Sequence, residues 1–198
     1  MAKNVLIAAE AFIIAILAMP FVGCKENFMT DKKTIVTMKG NPVTLEGKIV
    51  EVGQKAPDAE VITNDMSVVK LSSYLGKTCI IASVPSLDTQ VCDVETRRFN
   101  EEAGKLGSDI VVLTISMDLP FAQKRWCGAA GVKNVITLSD YRHASFGNAY
   151  GVLIKDLRLL ARAVFVVDKA GAVRYVQIVP EIAAEPDYAD VLEAVRNL

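Results

Sequence analysis

The sequence predicts one α/β domain, a mixed central sheet with helices on both faces and a β-hairpin at its N-terminal end. Three observations lead there. The chain has 198 residues, 52% hydrophobic and 23% charged, which suits one globular domain with a proper core. Two runs, residues 78–84 (TCIIASV) and 110–116 (IVVLTIS), are apolar at successive positions, the pattern of central strands covered on both faces. Helical spacing follows each of them, and an alternating hairpin with a final amphipathic helix closes the chain.

The elements follow in order. Residues 25–60 are polar and turn-rich; within them Val43-Thr44-Leu45 and Lys48-Ile49-Val50 alternate and are read as the N-terminal hairpin. Residues 68–71 form a short strand ahead of 78–84. Residues 91–106 place Val91, Val94, Arg98 and Phe99 at helical spacing, with Glu95, Glu101 and Glu102 turned outward. After the strand at 110–116, residues 120–130 form a helix stopped by Gly131, 135–138 a short strand and 144–150 a brief helix. Residues 162–167 and 173–178 alternate about the turn Asp168-Lys169-Ala170-Gly171, and 187–198 form the last helix, capped by Asp187. This order is the thioredoxin-like arrangement, which hosts many activities and names none.

Residues 1–28 stand apart from the domain at 29–198. From 5 to 22 the run VLIAAEAFIIAILAMPFV is almost continuously apolar, broken by Glu10 and preceded by Lys3. Residues 11–22 have the length of a signal-peptide apolar region and lead into Phe21-Val22-Gly23-Cys24, then polar Lys25, Glu26 and Asn27. This resembles a bacterial lipobox, with Cys24 the lipidated first residue of the mature chain. Two other readings stand beside it: an uncleaved anchor, since about 18 residues approach the ~20 that span a bilayer, and translation starting at Met29. Export as a lipoprotein, a membrane tether or a cytoplasmic location follows according to which holds.

With 22 Lys+Arg against 23 Asp+Glu the net charge is −1, so no basic field exists to hold a nucleic-acid backbone. Four cysteines are too few for a disulfide scaffold, and one histidine leaves little for an imidazole metal site. No metal is expected, and chemistry should run through sulfur. If Cys24 carries lipid, three cysteines remain, an odd number that speaks against a purely structural disulfide set.

The informative stretch is PSLDTQVC, residues 85–92, between an apolar strand and an amphipathic helix. A cysteine in the first helical turn feels the positive end of the helix dipole and faces N–H groups without partners, so Cys92 is favoured as a nucleophilic thiolate. Thr89, three residues earlier, brings a hydroxyl near the sulfur, and Pro85 fixes the chain while withholding an N–H. Cys79, inside a strand, reads as a small buried hydrophobe. Arg162 opens an apolar strand, where a buried cation needs either a carboxylate or a thiolate and peroxide to hold. His143 reads as a surface or capping residue rather than a base.

Pro-x-x-x-Thr-x-x-Cys after a strand resembles the active-site signature of the peroxiredoxins, and PSLDTQVC is closely similar to that of their thiol peroxidase (Tpx-type, atypical 2-Cys) subfamily. Residues 118–123 (DLPFAQ) followed by Arg125-Trp126-Cys127-Gly128 resemble the segment that carries the resolving cysteine there. Further matches are 39–44 (KGNPVT), 161–164 (ARAV) and 185–188 (EPDY), so the likeness covers residues 34–198.

The resemblance implies a thioredoxin-like peroxiredoxin fold, an antioxidant thiol-dependent peroxidase without cofactor, and a homodimer. It implies that Cys92 attacks H2O2 or an organic hydroperoxide, oriented by Thr89 and Arg162, and becomes a sulfenic acid. Cys127 then closes a Cys92–Cys127 disulfide that thioredoxin or a similar dithiol reduces. Two cysteines on separate helices are not expected within the ~7 Å Cα limit for bridging, so the turns around both should unwind or shift in each cycle. Apolar neighbours, Leu87, Val91, Leu119, Pro120 and Phe121, suggest a substrate pocket open to alkyl and lipid hydroperoxides. Two rival functions are a thiol–disulfide oxidoreductase, which normally carries the Cys-x-x-Cys absent here, and a non-catalytic membrane-tethered binding module.

Overall fold

The computed structural model describes residues 36–198; the lipobox-like segment, Cys24 and the alternative start at Met29 lie outside the described residues. Twelve strands and four helices follow one another: β1 (Val36–Met38), β2 (Asn41–Val43), β3 (Leu45–Glu46), β4 (Glu60–Ile62), β5 (Val68–Lys70), β6 (Thr78–Ser83), α1 (Gln90–Ala103), β7 (Ile110–Ser116), α2 (Pro120–Ala130), β8 (Val135–Ser139), α3 (Ser145–Ala149), β9 (Leu153–Ile154), β10 (Leu159–Leu160), β11 (Ala163–Val167), β12 (Val173–Ile178) and α4 (Tyr188–Arg196).

Seven strands make the central sheet in the order β12-β11-β6-β7-β8-β4-β5. Its middle, β6, β7 and β8, is parallel, and β11, β12, β4 and β5 add antiparallel flanks, which is the expected mixed sheet. Alternation along the strands divides the core. Ile81, Leu113, Ile115, Ala163 and Phe165 face one layer with Phe146 of α3 and Tyr150 just after it. Ile80, Ala82, Val112, Val164 and Val166 face the other, where Phe99 of α1 and Tyr188, Val191 and Val195 of α4 cover them. Both faces of β6 are therefore dry, which is why its sequence shows no polar alternation.

The helix ends obey local chemistry. Pro120 opens α2 at a position whose N–H has no partner in any case, and Gly131 closes it in the left-handed conformation (φ 67°). Asp187 caps α4 by accepting from the Ala189 and Asp190 N–H groups.

The N-terminal hairpin exists but sits earlier than the sequence suggests. It is β1–β2, turning at Lys39 (φ 53°) and Gly40 (φ 78°), whereas residues 48–50 form no strand. β3 pairs instead with β9, in a small three-stranded sheet with β10. The cause is a close backbone approach: Gly47 (φ 87°) presses on the Asn148 carbonyl, and Gly151 (φ 69°) on Lys48 and Ile49, leaving no room for a β-carbon at either glycine. The chain at 47–49 is thus used for packing rather than pairing. Two-residue strands such as β9 and β10 carry too few positions to show a period.

Candidate active site

The site forms where β6 runs out. Beyond Ser83 the chain bends at buried Pro85, and the loop is held by one carboxylate at the end of β7. Asp118 accepts from the Ser86 hydroxyl (2.7 Å), the Leu87 N–H (2.8 Å) and the Ser116 hydroxyl (2.7 Å). Gln123 of α2 donates to the same Ser116 oxygen (2.9 Å), so the loop and the base of α2 share one network. α1 then starts with Thr89 as its flanking residue in extended geometry, and Cys92 is its third residue.

The Cys92 sulfur is fully buried, with Thr89 Oγ1 at 2.8 Å and Arg162 Nη2 at 3.3 Å. Thr89 Oγ1 also lies 3.0 Å from the Ser86 carbonyl. A hydroxyl has one proton, so these two contacts define two states. With a protonated thiol, the S–H donates to Thr89 and Thr89 donates to Ser86; with a thiolate, the Thr89 proton turns to sulfur. Thr89 itself is exposed to solvent.

Arg162, 1% exposed, crosses from β11 to α1 and uses three nitrogens. Nε donates to the Ile182 carbonyl (2.9 Å), Nη2 to Cys92, and Nη1 to Glu95 Oε2. Glu95 is therefore not turned outward. It is fully buried one helical turn after Cys92, while Val94, expected inside, is exposed. Both choices open for Arg162, a carboxylate and a sulfur, are taken at once. Burial pushes the Glu95 carboxyl up to about 7 against the pull of the guanidinium. Burial also works against the charge on Arg162, but the Glu95 and Cys92 charges outweigh it and hold its pKa above the ordinary value.

Cys127 lies half-buried on α2, and Cys79, Cys92 and Cys127 are all free thiols. Its sulfur faces β8, 3.2 Å from Thr137 Oγ1 and 4.0 Å from Asn64 Nδ2. The preceding residue, Trp126, points the other way, packing on Val84, Leu87 and Cys92. The Trp126 indole N–H donates to Asp93 Oδ1 (3.0 Å), and Arg97 bonds both Asp93 (2.8 Å) and the Ala130 carbonyl (2.8 Å). The two cysteine-bearing helices are therefore joined by the neighbours of the cysteines, while each sulfur has hydrogen-bond partners of its own.

Of the expected pocket residues only Leu87 lines the clefts that flank this junction, one of about 380 Å³ and one of about 200 Å³, together with Asp88, Trp126 and Ala129. Val91 is half-buried, and Pro120 is buried at the start of α2. Leu119 and Phe121 are 52% and 65% exposed, so the expected apolar pocket is not assembled from these four. The reason is helix direction: Pro120 and Gln123, not Leu119 or Phe121, face inward at the start of α2. Cys79 lies at the far end of β6 beside a separate cavity of about 390 Å³ lined by Leu71, Leu75, Ile81, Leu113 and Tyr150. Burial pushes its thiol up to about 11. His143 is exposed in the turn before α3. Among the described residues no three His, Cys, Asp or Glu side chains are grouped to hold a metal.

Sequence reasoning missed Glu95, Asp118 as an organiser of the loop, and the Asp93–Trp126 link. Glu95 lies three residues after Cys92 on the same helical face, but its charge makes that face read as solvent-facing until the buried Arg162 is known.

Comparison with known proteins identifies the family to which this chain belongs. The model of the Redoxin family matches residues 51–192. Thiol peroxidase of Bacillus subtilis is 56% identical over 163 residues, 82% of this chain and 97% of the relative. That of Listeria monocytogenes is 55% identical over 164 residues, 83% and 99% of the two chains. The crystal structure of a peroxiredoxin-like protein from Aquifex aeolicus superposes with a TM-score of 0.78 at 46% identity, covering 83% of this chain and 96% of that one. Thiol peroxidase from Chromobacterium violaceum, 19% identical, shares the fold with a TM-score of 0.75 over 82% of this chain and 96% of its own. The chain belongs to the Redoxin family and, within it, to the peroxiredoxin-type thiol peroxidases.

Proposed function

We propose that this thiol-dependent peroxidase works through Cys92 as the attacking sulfur and Cys127 as the resolving one. The observation that carries the reading is the Cys92 sulfur between Thr89 Oγ1 (2.8 Å) and Arg162 Nη2 (3.3 Å) at the start of α1. A thiolate there is stabilised by the guanidinium and the helix N-terminus. It attacks the terminal oxygen of the hydroperoxide; the O–O bond breaks, the sulfur gains one oxygen as sulfenic acid, and the departing alkoxide or hydroxide takes a proton to leave as alcohol or water. Arg162 and Thr89 line up the O–O bond and meet the charge that develops on it. Glu95 acts through Arg162 as a positioning residue.

Cys127 next attacks the Cys92 sulfenic sulfur, forming the S–S bond and expelling water. Both sulfurs have separate partners in the reduced fold, so the turns that hold them open in each cycle. An external dithiol, thioredoxin or a similar protein, takes the disulfide back to two thiols by exchange. Small hydroperoxides and alkyl hydroperoxides are the substrate class, entering past exposed Thr89 and the clefts beside Leu87. The working form is a homodimer, and residues 1–23 act as an export signal whose removal leaves lipidated Cys24 as the first residue and membrane anchor of the mature chain.

The test is mass spectrometry of the full chain expressed in a bacterial host, before and after one equivalent of cumene hydroperoxide. Loss of about two mass units mapped to Cys92 and Cys127 supports the cycle; one oxygen held on Cys92 alone points to a one-cysteine enzyme. Cys92→Ser should abolish turnover, and Cys127→Ser should give one turnover and stall; full activity in Cys92→Ser overturns the assignment. A mature chain beginning at Met1 or Met29 overturns the lipid tether, and a monomer in sedimentation overturns the dimer.

A further inference from the structure

The sulfur of Cys127 is seated in a polar nest that α2 does not itself provide. Thr137, from β8 and 4% exposed, places Oγ1 at 3.2 Å from it. Asn64, from the turn after β4, donates Nδ2 to that same Thr137 oxygen (2.8 Å) and lies 4.0 Å from the sulfur. The other end of the Asn64 amide, Oδ1, is buried with no hydrogen-bond partner. A buried amide left half-satisfied costs stability, so its presence under a thiol calls for a role. Nothing in the attack on hydroperoxide needs Asn64 or Thr137, because neither touches Cys92 or its partners.

We propose that Asn64 and Thr137 are positioning residues for the resolving step: they hold Cys127 in the folded turn and so set how long the Cys92 sulfenic acid survives. The proposal rests on the reading above that Cys127 resolves Cys92. To bond Cys92, the Cys127 sulfur must leave Thr137 and Asn64, and α2 must loosen across Trp126 and Cys127. The sulfenic acid meanwhile has two fates. Condensation with the Cys127 thiol gives disulfide and water. Attack on a second hydroperoxide gives the sulfinic acid and an alcohol, the sulfur taking the second oxygen. A tighter seat for Cys127 lengthens the sulfenic lifetime and favours the second fate; a looser seat favours the first.

The full chain is reacted with cumene hydroperoxide over a range of concentrations, quenched at intervals with a thiol-blocking reagent, and its Cys92 products are weighed by mass spectrometry. In Thr137→Val and Asn64→Ala the sulfenic acid should disappear roughly fivefold faster, the factor that one net hydrogen bond carries. The peroxide concentration giving half sulfinic acid should rise by the same factor. The rate of sulfenic acid formation should stay at the parent value, which general damage to the fold would not spare. Thr137→Ser, which keeps the hydroxyl, should behave as the parent, and Asn64→Ala gives the same reading if Thr137→Val fails to fold. A sulfenic lifetime unchanged or longer in folded Thr137→Val or Asn64→Ala overturns the proposal. A parent chain that never forms the Cys92–Cys127 disulfide overturns the reading beneath it, and the proposal with it.

Discussion

Arg162 gives one terminal nitrogen to Glu95 and the other to Cys92, so a single guanidinium spans two residues one helical turn apart on α1. The sulfur proposed to react and the buried Glu95 carboxylate are thereby fixed to the same rigid plane. The Ile182 carbonyl holds the third nitrogen, which removes the remaining freedom of the side chain.

Removing the carboxylate should damage stability and rate together. Glu95→Ala leaves a buried cation without its partner, which costs about 3–5 kcal/mol. Urea denaturation should show that loss, and single-turnover kinetics a slower first step. Glu95→Gln keeps an acceptor for Nη1 and should lose less of both. Parental stability in Glu95→Ala would show that the ion pair is not what holds Arg162.

The Thr89 hydroxyl should matter to chemistry more than to folding. Thr89→Val keeps the shape and removes the proton offered to the sulfur, so the rate of sulfenic acid formation should fall about 10–100-fold, the value of one hydrogen bond to a charged group. Thr89→Ser should restore most of it. Rapid-mixing measurements with H2O2 distinguish these outcomes, and an unaltered rate in Thr89→Val removes Thr89 from the mechanism.

Acid should loosen the N-terminal hairpin. Glu181 accepts from the Gly40 N–H (3.0 Å), the Thr37 hydroxyl (2.8 Å), the Ala183 N–H (3.1 Å) and the Lys39 N–H (3.0 Å), and these bonds pull its carboxyl down to about 2. A folded value below the unfolded 4.5 means a contribution that is present above pH 4.5 and is lost as pH falls through about 2. Amide exchange at residues 36–43 should accelerate over that window, and Glu181→Gln should abolish this pH dependence. Since the neighbouring Ile182 carbonyl anchors Arg162, peroxidase activity recovered after brief acid exposure reports the same event from the other side.

Cys79 should resist alkylation in the folded protein. Its thiol, pushed up to about 11 by burial, is almost wholly protonated at pH 8. Iodoacetamide at that pH should leave Cys79 unlabelled until denaturant is added. Labelling at the rate of an exposed thiol would mean that the cavity beside it admits the reagent and the ionisation is ordinary.

How much of this could be read beforehand depended on range. β6 and β7 were legible because a doubly covered strand writes an unbroken apolar run, and α2 because Pro120 and Gly131 mark both its ends. Cys92 and Thr89 were legible because they are three residues apart and act through one helix terminus. Glu95 was not: as a charged residue on an amphipathic helix it reads as solvent-facing until a cation 67 residues later is known to arrive beside it. Asn64 and Thr137 are separated by 73 residues and meet only through the pairing of β4 with β8, so no local pattern announces them. The apolar pocket failed for the opposite reason: Leu119 and Phe121 are close in sequence, but they flank Pro120 at the start of α2, which turns Pro120 and Gln123 inward instead.

Trp126 is the chain's single tryptophan, and its indole N–H is bonded to the residue that follows Cys92. All tryptophan emission of the protein therefore originates at the junction between its two redox helices. Any opening of that junction would exchange the Asp93 carboxylate and the apolar wall of Val84 and Leu87 for water, and the emission should shift with it. If the proposed disulfide step opens that junction, tryptophan emission follows it in an unlabelled sample, turnover by turnover.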